Sequence, residues 1–229
     1  MSVRSGRAGA QVVRLDRERI LDAVERIVTT EGLATLTMRR IGTELGVDPT
    51  AVYRHFRNKE ALLDALAERA FLTTPELDPE QPWQQRVRAV VRHALARYRA
   101  HPDLGVRLAQ RDEDIAGVIH IRELVLALLD EAGLDVEQAA MMSHVLENHV
   151  VGCGVFFAIS DQGRDSTIDE AAALRRAYAM ASEREAPHVV AAAPYLFPEA
   201  DQVFEYATGL LIEAIERQAE RNRGREPQA

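Results

Sequence analysis

The stretch LTMRRIGTELGVDPTAVYRHFRNKEALL, residues 36–63, decides the fold. Thr37 precedes a short run in which Ile41 and Leu45 share one face, so its hydroxyl is placed to cap a helix. Gly46 closes that helix, because glycine enters the left-handed backbone of a tight turn without a Cβ penalty. Asp48 caps a third helix whose first turn holds Pro49, where a missing N–H costs nothing. Val52 and Phe56, four apart, point inward and leave Pro49, Thr50, Tyr53, Arg54 and Arg57 outward. Hydroxyls, a ring and guanidinium groups suit phosphate oxygens and base edges. Two short helices joined by a glycine turn form the geometry that lays the second in the DNA major groove.

Working outward, a first helix starts near Asp16 and carries Ile20, Leu21, Val24, Ile27 and Val28 on one face until Gly32. Asn58 caps a fourth helix bearing Leu62, Leu63 and Leu66. Residues 1–15 contain Arg4, Arg7 and Arg14 and no acid, and read as a flexible basic arm. The expected divisions are this arm, a helix-turn-helix domain over 16–72, a larger helical domain over 73–221, and a disordered tail over 222–229. The boundary is set by the proline-rich joint at 73–82. Beyond it, long helices are expected near 82–100, 103–110, 112–132, 135–160, 167–184 and 200–221, so the fold class is all-α. The last helix carries the stripe Val203, Phe204, Ala207, Leu210, Leu211, Ala214 and Ile215.

Composition narrows the function. With 47% hydrophobic and 28% charged residues the chain reads as globular, and 229 residues suffice for one small and one larger domain. No apolar run approaches the roughly 18 residues of a membrane span, and the first residues lack a signal-peptide core. One cysteine, Cys153, fits a reducing cytoplasm, so a soluble cytoplasmic protein is expected. The net charge of −8 argues against nucleic acid until its distribution is read. Residues 1–71 hold twelve basic and ten acidic side chains, whereas 72–229 hold sixteen and twenty-six, so a polyanion would dock at the N-terminal end.

Residues 17–71 resemble the DNA-binding domain of the tetracycline-repressor (TetR) family of regulators, above all in Leu36 to Gly42, Leu45-Gly46-Val47, Val52 to Phe56 and Asn58 to Leu63. The resemblance implies that Thr37 bonds a phosphate and that Arg39 reaches a guanine. It places Pro49, Thr50 and Ala51 at base edges, and Tyr53 and His55 on the backbone. Lys59, the only lysine among 28 basic residues, matches a phosphate-contacting lysine at the start of the fourth helix. Arg40 and Arg54 complete the candidate set, although Arg40 and Arg57 read equally well as solvated surface.

Residues 83–160, with Trp83, His101-Pro102-Asp103 and Val151-Gly152-Cys153, look loosely like the C-terminal domain of tetracycline repressors. That pocket's metal-binding histidine and its partners cannot be placed on this sequence, so neither tetracycline, a metal nor any cofactor is expected. A small-molecule cavity between long helices is, with His93, His120, Met142, His144, Asn148, His149 and Cys153 as candidate lining. His149 and Cys153 stand one turn apart, a spacing a metal could use, but no third ligand is in reach. The helix at 135–160 is apolar nearly all round after His149. With the last helix it suggests a two-fold four-helix interface, as in the family, using Val155, Phe156, Phe204, Leu211 and Ile215.

The expected protein is thus a regulator, not an enzyme: a homodimer on a palindromic operator, released by an effector. An alternative gives the larger domain a protein partner in place of a ligand. An enzyme would need a nucleophile elbow, a phosphate-binding glycine loop or a metal cluster, and none is present in the sequence.

Overall fold

A computed structural model describes residues 15–109, 116–162 and 170–224. Every regular element among them is helical: α1 (Arg17–Glu31), α2 (Met38–Leu45), α3 (Pro49–Tyr53), α4 (Lys59–Phe71), α5 (Trp83–Ala100), α6 (Pro102–Ala109), α7 (Ala116–Ala132), α8 (Val136–Gln162), α9 (Glu170–Ala179), α10 (Pro187–Ala192) and α11 (Ala200–Arg223), with 3₁₀ turns at Leu33–Thr35 and Ala193–Tyr195. The chain divides into units 1–66 and 67–229. The division falls inside α4, six residues before the expected boundary at the joint. α4 stays continuous there because nothing in its sequence breaks a helix before Leu72.

In the first unit the caps form as the side chains dictate. Asp16 accepts from the Arg19 amide at 2.9 Å, Thr37 from Arg40 at 3.0 Å and Asn58 from Ala61 at 2.8 Å. Each such cap is worth about 1 kcal/mol. Ile20, Val24, Ile27, Leu36, Ile41, Val52 and Phe56 close one small core. Gly46 takes φ 66°, the left-handed turn between α2 and α3. Gly42 serves differently: a Cβ there would lie 2.9 Å from the Val47 oxygen and 3.2 Å from the Pro49 nitrogen. Its bare Cα therefore sets how closely α3 approaches α2.

In the second unit α8 packs on α5, α6 and α7, and α11 lies on α5, α7 and α8. Arg88 and Arg92 of α5 both grip Glu205 of α11, at 3.0 and 2.6 Å, and hold its carboxyl below the usual range. α11 runs past the point where the tail was expected to begin. Asn222 donates to the Gly133 carbonyl at 2.8 Å and to Gln138 Oε1 at 2.7 Å, which pins its last turn. Residues 1–14 of the expected arm and the last five residues lie outside the described residues.

The expected interface needs correction. Phe204 and Ile215 are 2% and 0% exposed, because the inward face of α11 fills the unit's own core. Val155 and Leu211 are half-buried, and Phe156 is 64% exposed. The large apolar residues left outward on these two helices are Val203, Tyr206 and Leu210 of α11, with Val136, Met141, Val145 and Phe156 of α8. No helix among the described residues is long and apolar enough to cross a membrane.

Candidate functional site

The helix-turn-helix presents its outward groups from a fixed frame. Val52 is fully buried under α3, while Thr50, Tyr53 and Arg54 are exposed, Tyr53 by 51%. Asp48 accepts from both the amide and the hydroxyl of Thr50, at 2.9 and 2.6 Å, so the Thr50 oxygen faces outward as an acceptor. Those two bonds hold the Asp48 carboxyl below the ordinary carboxylate range. Pro49 and Ala51 are half-buried on the same short helix. Thr37 uses its lone pair on the Arg40 amide, which leaves its O–H able to donate. Arg39 is exposed at the start of α2, and half-buried Lys59 opens α4.

Two arginines differ from expectation. Arg40 turns toward α1, bonding Glu31 (Nε–Oε2 3.1 Å) and Glu44 (Nη1–Oε2 3.0 Å). These pairs raise its pKa and lower that of Glu31, so Arg40 ties α2 to the end of α1. Arg17, which no motif singles out, donates to the His55 carbonyl at 3.1 Å. Its guanidinium lies 4.4 Å from the centre of the Phe56 ring. It thereby satisfies a carbonyl just past the end of α3 and fixes the ring that anchors it. The half-buried His55 is held through its backbone.

The second unit contains a cavity of about 170 Å³. Val90, Val91, Ala94 and Tyr98 of α5 form one wall; Ser143, Leu146, Val150 and Val151 of α8 form another. Ile121 and Val125 of α7, with Phe71 and Leu72 at the end of α4, complete it. Arg122 and Glu147, paired at 2.9 Å and each about half exposed, stand at its rim. The Tyr98 ring passes between two helical glycines: a Cβ on Gly105 would lie 2.5 Å from Tyr98 Cδ1, and one on Gly154 would overlap the ring outright. Phe71 meets Tyr98 edge-on at 4.8 Å. Burial, then the Glu147 charge, pushes the Tyr98 phenol up to about 12. Arg97 donates to the Ala70 carbonyl at 2.8 Å, capping the end of α4.

None of the seven candidate lining residues borders this cavity. His93 bonds Thr73 of the joint at 2.9 Å. His120, His144 and Asn148 are exposed, with His144 3.6 Å from Glu147. Met142 borders a separate polar groove between the start of α8 and the end of α11. His149 stacks on Phe204 at 4.7 Å and reaches Thr208 Oγ1 at 3.0 Å; Cys153 lies 3.8 Å from its other ring nitrogen. Burial lowers the His149 pKa and raises that of the Cys153 thiol. The polar groups thus satisfy one another between helices, while the cavity falls where side chains are apolar. No group of three His, Cys, Asp or Glu able to hold a metal occurs among the described residues.

Residues 20–66 match the family described as "Bacterial regulatory proteins, tetR family", and residues 74–219 match "Tetracyclin repressor-like, C-terminal domain". The chain belongs to the TetR family. Among its TetR-family relatives is the HTH-type transcriptional repressor DrrR1 of Streptomyces coeruleorubidus, 31% identical over 60% of this chain and 52% of that one. The class D tetracycline repressor protein of Escherichia coli is 33% identical over 45% of this chain and 51% of its own length. The chain thus spans about half the length of these curated relatives. Likeness in structure runs further. The TetR family protein ActR of Streptomyces coelicolor, in complex with actinorhodin, superposes with a TM-score of 0.76 at 26% identity, over 89% of this chain and 96% of that one. Its complex with (S)-DNPA gives 0.72 at 25%, over 90% and 99%.

Proposed function

We propose that this chain is a DNA-binding transcriptional repressor that acts as a homodimer on a palindromic operator and is released by a small molecule. The observation that carries the reading is the presentation of α3: Thr50, Tyr53 and Arg54 exposed above a buried Val52, behind the Gly46 turn. A helix of five residues with one inward anchor contributes little core, and its outward groups match phosphate and base chemistry. In this reading Pro49, Thr50 and Ala51 meet base edges with Arg39, while Thr37, Tyr53, Arg54, His55 and Lys59 hold the phosphates. Arg40, engaged with Glu31 and Glu44, supports α2 instead. The relatives named as repressors, DrrR1 and the class D tetracycline repressor protein, support the assignment.

The exposed apolar stripes of α8 and α11 supply the dimer face in this proposal, in place of the buried Phe204 and Ile215. Two copies would present their α3 helices to half-sites roughly 34–36 Å apart or slightly more. The ligand-bound ActR structures support a cavity-bound effector over a protein partner, as does the cavity itself. Phe71 and Leu72 line that cavity at the end of the helix that Lys59 opens, so a ligand there touches α4 directly. Whatever the ligand gains by preferring one arrangement of α4 is lost to DNA affinity, typically about 1–3 kcal/mol.

The test is selection of bound sequences from random duplex DNA at two salt concentrations. A palindromic motif that survives the higher salt is the expected result. Binding that vanishes with salt and yields no motif is non-specific electrostatics and overturns the proposal.

A further inference from the structure

We infer that the cavity of the second unit takes an uncharged, single-ring aromatic molecule with one hydrogen-bonding substituent, its ring inside and its polar end at Arg122 and Glu147. The inference rests on the ligand reading above and narrows it to a chemical class. Size comes first. An apolar cavity of about 150 Å³ accommodates benzene. At about 170 Å³, this one accommodates a single ring and a small substituent. The walls come next. Val90, Val91, Ala94, Val125, Leu146 and Val150 offer no hydrogen bond, the Ser143 hydroxyl already donates to the Ala140 carbonyl at 2.8 Å, and the remaining hydroxyl, of Tyr98, feels the charge of Glu147 at the rim.

Charge selection follows from the rim. Arg122 Nη2 and Glu147 Oε2 stand 2.9 Å apart, so their charges already balance. A ligand carboxylate at Arg122 would also face Glu147, and an ammonium at Glu147 would face Arg122. Either must leave water beside apolar walls, which is costly for an ion lacking an unshared counter-charge. A neutral hydroxyl suits the pair better: it donates to the carboxylate and accepts from the guanidinium. Glu147 is the only carboxylate in the lining, and no His or Cys joins it among the described residues, so the lining does not suit a metal chelate.

Calorimetry on the full chain without DNA tests this, with p-cresol, p-toluate, benzylamine and tetracycline as probes. The expected result is p-cresol bound at least tenfold more tightly than p-toluate or benzylamine, and no binding of tetracycline. Val151→Phe, which fills the cavity, should weaken p-cresol at least tenfold; should it not fold, Ala94→Leu does the same more gently. Glu147→Gln should narrow the preference for p-cresol over p-toluate. Equal or tighter binding of a charged probe or of tetracycline overturns the inference. So does failure of p-cresol to bind, or indifference of its binding to both filling variants. Because no DNA is present, such failures are distinguishable from failure of the operator proposal, which the sequence selection reads alone.

Discussion

Tyr98 and Gly154 share one volume: the ring of the first lies where a Cβ on the second would have to be. Gly154→Ala must therefore displace a buried ring that Gly105 confines on another side and Phe71 meets edge-on. Overpacking of this kind costs about 1–3 kcal/mol. Urea denaturation should show that loss, and Tyr98→Leu in the same chain should recover part of it. Strict additivity of the two substitutions would count against the shared volume.

Gly42→Ala is expected to act on DNA binding through the backbone. Its new Cβ meets the Val47 oxygen and the Pro49 nitrogen, neither of which can rotate away, so α3 must shift from α2. A loss of about 1–3 kcal/mol in stability is expected together with weakened operator binding. Gel-shift titration beside thermal melting checks both.

Arg39 and Arg40 are neighbours with opposite expectations. Arg39→Ala should weaken operator affinity by about 1–3 kcal/mol, the worth of a good base contact, with the melting temperature unchanged. Arg40→Ala should lower the melting temperature, because it frees Glu31 and Glu44. The reverse pattern would relocate the DNA contact.

Arg17→Met should lower operator affinity while the helical content holds. It removes the bond to the His55 carbonyl and the cation over Phe56, an interaction worth about 0.5–1 kcal/mol at an exposed site. Arg17→Lys, which keeps charge but not the planar fork, should recover only part of the loss.

His149 gives a pH dependence. Burial depresses its pKa below the ordinary 6.5, so the unfolded chain binds the proton more readily. The stability it lends is present above pH 6.5 and is lost as pH falls from there through the folded pKa. His149→Phe should flatten that part of the stability profile between pH 5 and 7, measured by urea midpoints at each pH. A slope unchanged by the substitution would refute the assignment.

The first unit was legible because its information is local. Caps, a left-handed glycine and Pro49 act within three or four residues, and Thr37, Asp48 and Asn58 cap as expected. The cavity was not, because polarity drew attention to histidines that satisfy partners such as Thr73 and Thr208. Gly105 and Gly154 did carry a signal, since glycine inside a helix usually has a packing reason. What they pack against is Tyr98, 7 and 56 residues away, and no periodicity reveals that. The stripe of α11 was correctly apolar, yet which side faced the core could only come from its neighbours.

Lys59 stands alone at the start of α4, the single lysine of the chain. Besides an α-amino group, it is the only primary amine the sequence offers. An amine-reactive dye at alkaline pH has thereby a single side chain to label, beside the helix-turn-helix, without engineering. If Lys59 holds a phosphate as proposed, duplex should protect that amine, and mass spectrometry of the labelled chain would turn a compositional accident into a gauge of occupancy.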